Sequence, residues 1–439
     1  MQTRKYIARV LVATILAAAP LFASGARATE DAAGKITAIT QVFGDGQKIV
    51  AVAIQYDRKI ASDSLKPSDF SIQNGTVSDV YTARAADINS RTRNGSFVIV
   101  RLKAETARLD NHAGANPPEH RGEPAGAPRG APGPGGPKVG DKATDSARGT
   151  PVVVKVSQTG DIDSVGGAVI PAWNQARENT AVINPIVDKF VAGVYVDPAY
   201  KSLSLMYNLY VPEHYDPKKH YPLVLFMHDA GAVSNDPTRT LTQGLGAVVW
   251  ASPQAQSKHP AFVLAPQYDT VITDDNSVLA NQAEATVDLI KSLMTRYSID
   301  PNRIYNTGQS MGGMTSIGLD IAHPNFFAAS FLVACQWDPS LVAPMAHMPL
   351  WIVVSEGDTK AYPGQEAITA ALAKKGATVS QAFWNAEADK QTQARDVAAM
   401  LSHNSQINFA VFKGGNHRYT WEHAYAIEGI RDWLFAQSK

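Results

Sequence analysis

RIYNTGQSMGGM, residues 303–314, carries a short apolar run at Ile304 and Tyr305 into Gly308-Gln309-Ser310-Met311-Gly312, a G-x-S-x-G followed by Gly313. A serine presented for nucleophilic attack stands on a strained turn between a strand and a helix, so its neighbours must be small enough to clear both elements. Gly308 and Gly312 supply that smallness. The helix that follows aims its free N–H groups and the positive end of its dipole at charge developing beside the serine. The flanks agree. Upstream, Ala283, Val287, Ile290, Leu293, Met294 and Tyr297 recur at helical spacing. Ser298-Ile299-Asp300-Pro301-Asn302 then reads as a turn. Without that setting the motif would be an ordinary Gly-Ser-Gly turn.

Outward from the elbow, the chain beyond about residue 185 alternates strands and helices, which implies a mostly parallel sheet with helices on both faces. VDKFVAGVYV and LSLMYNLYVP read as antiparallel opening strands. YPLVLFM, AFVLAPQ, FFAASFLVA, PLWIVVS, VSQAFW and INFAVF follow as buried strands. Helices are expected over 279–297, 311–322, 363–376, about 390–402 and 421–436. The fold class is an α/β hydrolase over 185–439.

A serine hydroxyl needs a base to take its proton, and the base needs a carboxylate to hold its tautomer. In this fold the acid and then the histidine follow the serine in loops just after strands. His417 meets that requirement after INFAVFKGGN, whereas His323, His347, His403 and His423 do not. Asp358, in the SEGD turn after LWIVV, is the favoured acid; Asp338 and Glu356 are the alternatives. Two backbone N–H groups should form an oxyanion hole, from Met311 and from Ala230 in the His228-Asp229-Ala230-Gly231 loop. His228 is expected to brace that loop. Asp229, Gln309, Gln336 and Trp337 flank the elbow or follow a strand at the same sheet edge, and are candidate substrate contacts.

Residues 35 to about 107 read as all-β. Asp45-Gly46, Asn74-Gly75 and Asn94-Gly95 punctuate short β-rich runs, as hairpin turns do. A small immunoglobulin-like sandwich is expected over 29–165, with PVVVKV as its last strand. A Pro/Gly-rich insert at 112–149 cannot bury enough apolar surface to offset its ordering entropy and reads as disordered; His112 and His120 inside it read as solvated. Residues 166–184 are expected as the linker.

The 439 residues hold 40 basic and 40 acidic side chains. This balance argues against nucleic acid or an anionic membrane as a bulk partner. Arg4, Lys5 and Arg9, an apolar stretch from Val10 to Ala23 and the small-x-small Ala26-Arg27-Ala28 form an export signal over 1–28. The apolar run is too short for stable membrane insertion, so a periplasmic or secreted location is expected. Cys335 is the single cysteine, which forbids an internal disulfide; it reads as a buried small hydrophobe.

IDPNRIYNTGQSMGGM (299–314), HDAG (228–231), SEGD (355–358) and GGNHRYTWEHAY (414–425) together resemble secreted α/β-hydrolase esterases related to feruloyl esterases and polyhydroxybutyrate depolymerases. The likeness is to the "predicted peptidase" subgroup with an esterase Ig-like N-terminal domain. The family's H-G-x-G stands here as His228-Asp229-Ala230-Gly231. The resemblance implies a serine carboxylesterase acting on a small or polymeric ester, without metal or cofactor. A serine peptidase or polyester depolymerase on the same triad is the alternative within the class. A non-catalytic binding protein on a hydrolase scaffold, with the β domain as its module, is the alternative outside it. An unpaired edge of the Ig-like domain could pair two copies.

Overall fold

The structure, a computed structural model, describes residues 33–103, 136–142, 151–200 and 203–439. The export signal expected at 1–28 and most of the insert, with His112 and His120, lie outside the described residues.

The N-terminal strands are β1 (Ala33–Phe43), β2 (Gly46–Ala61), β3 (Phe70–Ile72), β4 (Val77–Ala83), β5 (Asn94–Leu102), β6 (Lys155–Gln158), β7 (Ile162–Asp163), β8 (Val169–Ile170), β9 (Trp173–Glu178) and β10 (Ala181–Ile183). A five-stranded sheet runs β10-β1-β2-β5-β4 and a three-stranded sheet runs β3-β6-β9. Alternation decides what lies between them. Val52, Ile54, Val98 and Val100 pack against Phe70, Ile72 and Val156 of the smaller sheet, while Ala51, Ala53 and Ile99 join a cluster with Tyr81. Gln158, fully buried, pins the two layers by accepting from the Tyr56 hydroxyl (2.8 Å) and the Trp173 indole N–H (2.9 Å).

Asp45-Gly46 and Asn74-Gly75 fall at the turns expected of them, but Asn94-Gly95 opens β5 instead. The stretch 166–184 is not a plain linker, because β9 completes the small sheet and β10 pairs in parallel with β1. Its strands escape a sequence reading because β9, WNQARE, shows almost no apolar alternation. PVVVKV contributes to β6, which is therefore not the last strand. The described part of the insert is also ordered. Gly140 N–H donates to the Val271 carbonyl (2.9 Å), Val271 N–H donates to the Asp141 carbonyl (2.8 Å), and Lys142 bridges Thr270.

The second domain holds β11 (Val191–Val196), β12 (Ser204–Tyr210), β13 (Tyr221–Met227), β14 (Phe262–Gln267), β15 (Ile299–Gln309), β16 (Ala329–Val333), β17 (Leu350–Ser355), β18 (Val379–Trp384) and β19 (Ile407–Phe412). They form one sheet in the order β11-β12-β14-β13-β15-β16-β17-β19-β18. β11, β12 and β14 pair antiparallel, and every later pairing is parallel. The helices are α1 (Arg239–Thr242), α2 (Leu245–Val248), α3 (Pro253–Lys258), α4 (Asn281–Arg296), α5 (Met311–Ala322), α6 (Ala361–Ala373), α7 (Lys390–Ser402), α8 (His417–Ala424) and α9 (Glu428–Phe435). Parallel strands covered on both faces read as continuous apolar runs, and β13 is buried at every residue. Its Leu223, Leu225 and Met227 pack under α4. Val224 and Phe226 face the opposite cluster, which includes residues of α2, α8 and α9. Among the described residues no helix is long and apolar enough to cross a membrane.

The domains meet beside the site. Val42 joins the hydrolase cluster. Next to it, the turn at Gly44 comes so close to α8 that a Cβ there would collide with the backbone of Glu422. The carbonyl of Gly44 also lies against Gly244, where α2 begins.

Candidate active site

The parallel strands place their C-terminal ends along one edge, and each candidate side chain stands there. Ser310 lies between β15 and α5 with φ 51° and ψ −116°, the strained backbone an elbow requires. Its own N–H is tied to the Val333 carbonyl (3.0 Å). The glycine spacing now has its physical reason. A Cβ on Gly308 would strike the backbone of Gly312, and one on Gly312 would strike the Met227 carbonyl at the end of β13.

Asp358 follows β17 and is buried. His417 opens α8, reached through Gly414 (φ 64°) and Gly415 (φ 70°), both in the left-handed region that suits glycine. The Asn416 side chain caps that helix by accepting from Tyr419 N–H (3.0 Å). Thr420 and Ser355 share a buried hydroxyl contact of 2.7 Å that fixes α8 to β17. The result is a continuous line: His417 Nδ1 lies 2.5 Å from Asp358 Oδ2, and His417 Nε2 lies 2.8 Å from Ser310 Oγ. Burial pushes the Asp358 carboxyl up. The hydrogen bond and charge of His417 and the N–H groups of Ala361 and Lys360 more than reverse this, leaving it below its ordinary value. An ionised Asp358 accepts only, so Nδ1 carries the proton and Nε2 is free to accept from the serine. The Trp421 ring meets the imidazole edge-on, with centroids 5.0 Å apart, and limits its rotation.

The alternative acids are occupied elsewhere. Glu356 accepts from Gly414 N–H (3.0 Å), so it braces the loop that carries His417. Asp338 caps an exposed turn by accepting from Ser340 N–H (2.8 Å).

Met311 is the first residue of α5, and Ala230 opens a single 3₁₀ turn. N–H groups at such positions have no acceptor within their own helix. The close approach of Gly312 to Met227 and His228 brings the two loops together around Ser310. Asp229 caps the 3₁₀ turn through Gly231 N–H (2.8 Å). His228 is wholly buried; its Nδ1–H donates to the Asp229 carbonyl (2.8 Å), and its Nε2 accepts from Tyr268 N–H (3.0 Å). Burial lowers this imidazole to about 4, against the opposing pull of the Asp229 carbonyl, so it stays neutral. Gln267 extends the brace, donating to the Ala232 carbonyl (2.8 Å) and accepting from Thr240 N–H (2.7 Å).

Of the candidate substrate contacts, Asp229 and Gln309 lie beside the serine and touch each other, Gln309 Nε2 donating to Asp229 Oδ2 at 2.9 Å. Gln336 donates to Asp275 (2.7 Å), which also pairs with Lys360. Trp337 packs in the cluster with Met314 and Cys335. Cys335 is buried and its thiol is pushed up by burial, as expected of a small core residue. Sequence reasoning missed Arg239 and Gln243. They sit on α1 and its C-cap, in a stretch without periodicity, and nothing in the linear sequence signals their position.

Residues 35–171 match the family model of the esterase Ig-like N-terminal domain. No curated protein is similar to the chain in sequence. Among solved structures, the chain is similar to a thermostable esterase at 25% identity and a TM-score of 0.73, over 92% of this chain and 100% of that one. It is similar to a feruloyl esterase module from Clostridium thermocellum complexed with sinapinate, at 15% identity and a TM-score of 0.39, over 56% of this chain and 87% of that one. A third likeness is to Porphyromonas gingivalis dipeptidyl peptidase 4, at 16% identity and a TM-score of 0.41, over 68% and 41%. The first spans both domains. It supports an esterase-type hydrolase built from an Ig-like sandwich and an α/β-hydrolase domain.

Proposed function

We propose that this esterase-type hydrolase is an exported serine carboxylesterase that works through an acyl-enzyme. The observation that carries the reading is the unbroken line Ser310–His417–Asp358, at 2.8 and 2.5 Å. Ser310 Oγ attacks the acyl carbonyl while Nε2 of His417 takes its proton. Asp358 holds the imidazole and offsets its positive charge. The N–H groups of Ala230 and Met311 donate to the developing oxyanion, each worth about 10²–10³ in rate. His417 returns the proton to the departing alkoxide. Water then enters by the reverse roles and releases the acid. No cofactor enters these steps.

The test is hydrolysis of 4-nitrophenyl esters from acetyl to dodecanoyl, with a feruloyl ester beside them, by the chain beginning at Thr29. Turnover that disappears in Ser310→Ala is expected, and the chain-length optimum sizes the acyl pocket. Turnover indifferent to Ser310 would reject the reading.

A further inference from the structure

Beside the serine lies a corner of buried polar groups that the acyl-transfer steps do not use. Arg239 and Gln243 are four residues apart on one face of α1 and its C-cap. They are 7% and 5% exposed, and Gln309 is 1% exposed. Gln309 Nε2 approaches Gln243 Oε1 (3.4 Å), which aims this face at the elbow. Since Asp229 fixes the Gln309 amide nitrogen, the Gln243 amide must turn its own N–H₂ away from Gln309. Arg239 Nε, Gln243 Nε2 and Gln309 Oε1 are buried without a hydrogen-bond partner among the described residues. Groups of this kind are costly to leave unpaired, and a cluster of them marks a place for a ligand.

The charges favour an anion. Arg239 makes no ion pair among the described residues. Asp229 is close enough to act on it electrostatically, but its two oxygens already accept from Gly231 and Gln309. Asp236 turns one oxygen, Oδ1, to Thr238, accepting from its backbone N–H (2.9 Å) and its hydroxyl (2.8 Å). Arg418, next to His417 and half-buried, adds a second guanidinium within electrostatic reach. Burial lowers the Arg239 guanidinium from its ordinary value, yet the group keeps its charge.

We propose that Arg239 and Gln243 form a subsite for a carboxylate on the ester substrate, with Gln309 Oε1 accepting from a neighbouring hydroxyl or water. The inference rests on the esterase reading and names its substrate class: esters with an anionic group on the acyl or the alcohol half. A planar carboxylate offers two acceptors to the guanidinium fork and one to the amide.

The experiment compares kcat/KM for four probes. They are the 4-nitrophenyl hemiester of adipic acid, the butyryl ester of 4-hydroxybenzoic acid, and the methyl-capped neutral form of each. In the unaltered protein, one charged ester should exceed its capped form about 10- to 100-fold, as a charge-assisted pair predicts. The pair that shows the preference identifies the half that carries the carboxylate. That charged-to-neutral ratio should collapse in Arg239→Gln and partly recover in Arg239→Lys, and a general loss of activity cancels in it. Ratios below about three for both pairs in the unaltered protein overturn the subsite, even if Arg239→Gln fails to fold. A ratio unchanged in Arg239→Gln also overturns it. Turnover of the capped esters that depends on Ser310 keeps the esterase reading standing in either case, whereas no turnover of any probe rejects that reading.

Discussion

Two groups of polar side chains lie around Ser310, and they differ in how completely their hydrogen bonds are met. On one side, His417, Asp358, His228 and Gln267 each have partners at both ends. On the other, Arg239, Gln243 and Gln309 each leave a buried atom without a partner among the described residues. A satisfied network holds one geometry and one tautomer, which acyl transfer requires at every turnover. An unsatisfied one leaves donors and acceptors that a ligand or water can meet. On the reading proposed above, the difference separates the part of the site that performs chemistry from the part that selects what reaches it.

The largest effect should come from breaking the satisfied side at its end. Asp358→Asn leaves a group that must donate or reorient where His417 needs an acceptor. A fall in kcat of about 10⁴ is expected with little change in KM, read from steady-state ester hydrolysis. A loss under tenfold would show that His417 holds its tautomer without Asp358, and would return Glu356 or Asp338 to consideration.

Next in size is a pH effect at His228. Its folded value of about 4 lies below the ordinary imidazole value of about 6.5. Between these limits the unfolded chain binds a proton that the native state refuses, so stability is complete above the upper one and is lost as pH falls toward the lower. From pH 7 to pH 5 this group alone should remove about 2 kcal/mol. In urea denaturation at the two pH values, His228→Asn should lose less than the unaltered protein by about that amount. Equal losses would mean that the 228–231 loop tolerates a charged imidazole.

A smaller pair of effects sharpens the contrast directly. Gln267→Leu strips partners from Thr240 N–H, the Ala232 carbonyl and His228, and should cost about 1–3 kcal/mol. Gln243→Leu removes an amide whose N–H₂ has no partner among the described residues, and should be within about 1 kcal/mol of neutral. Similar costs for both, measured by denaturant midpoint, would erase the distinction between the two sides.

What the sequence disclosed follows the same division. Ser310, Asp358 and His417 stand where strand ends and glycine turns announce a loop, so linear spacing reached them. The strands β13, β16, β17 and β19 were legible because parallel strands are apolar throughout, and α5 and α7 fall at the expected bounds. The expected helix at 421–436 is instead α8 and α9, broken at 425–427 without Gly or Pro. The buried Tyr425 hydroxyl, 3.2 Å from that of Thr307, fixes the break, and only the tertiary fold supplies that contact. Arg239 and Gln243 were hidden for a related reason: being unpaired is a property of three-dimensional surroundings. The wedge of Gly44 between α8 and α2 also has no local signature, since the glycine is needed only for what lies opposite it.

The central claim is that His417 and Asp358 make Ser310 a nucleophile for acyl transfer. The most direct measurement is peptide mass spectrometry after exposure to a fluorophosphonate probe, which captures an activated serine by the same attack. The account predicts one adduct, on Ser310, that forms rapidly in the unaltered protein and is abolished in His417→Ala. An unlabelled Ser310, or labelling as fast without His417, would contradict it.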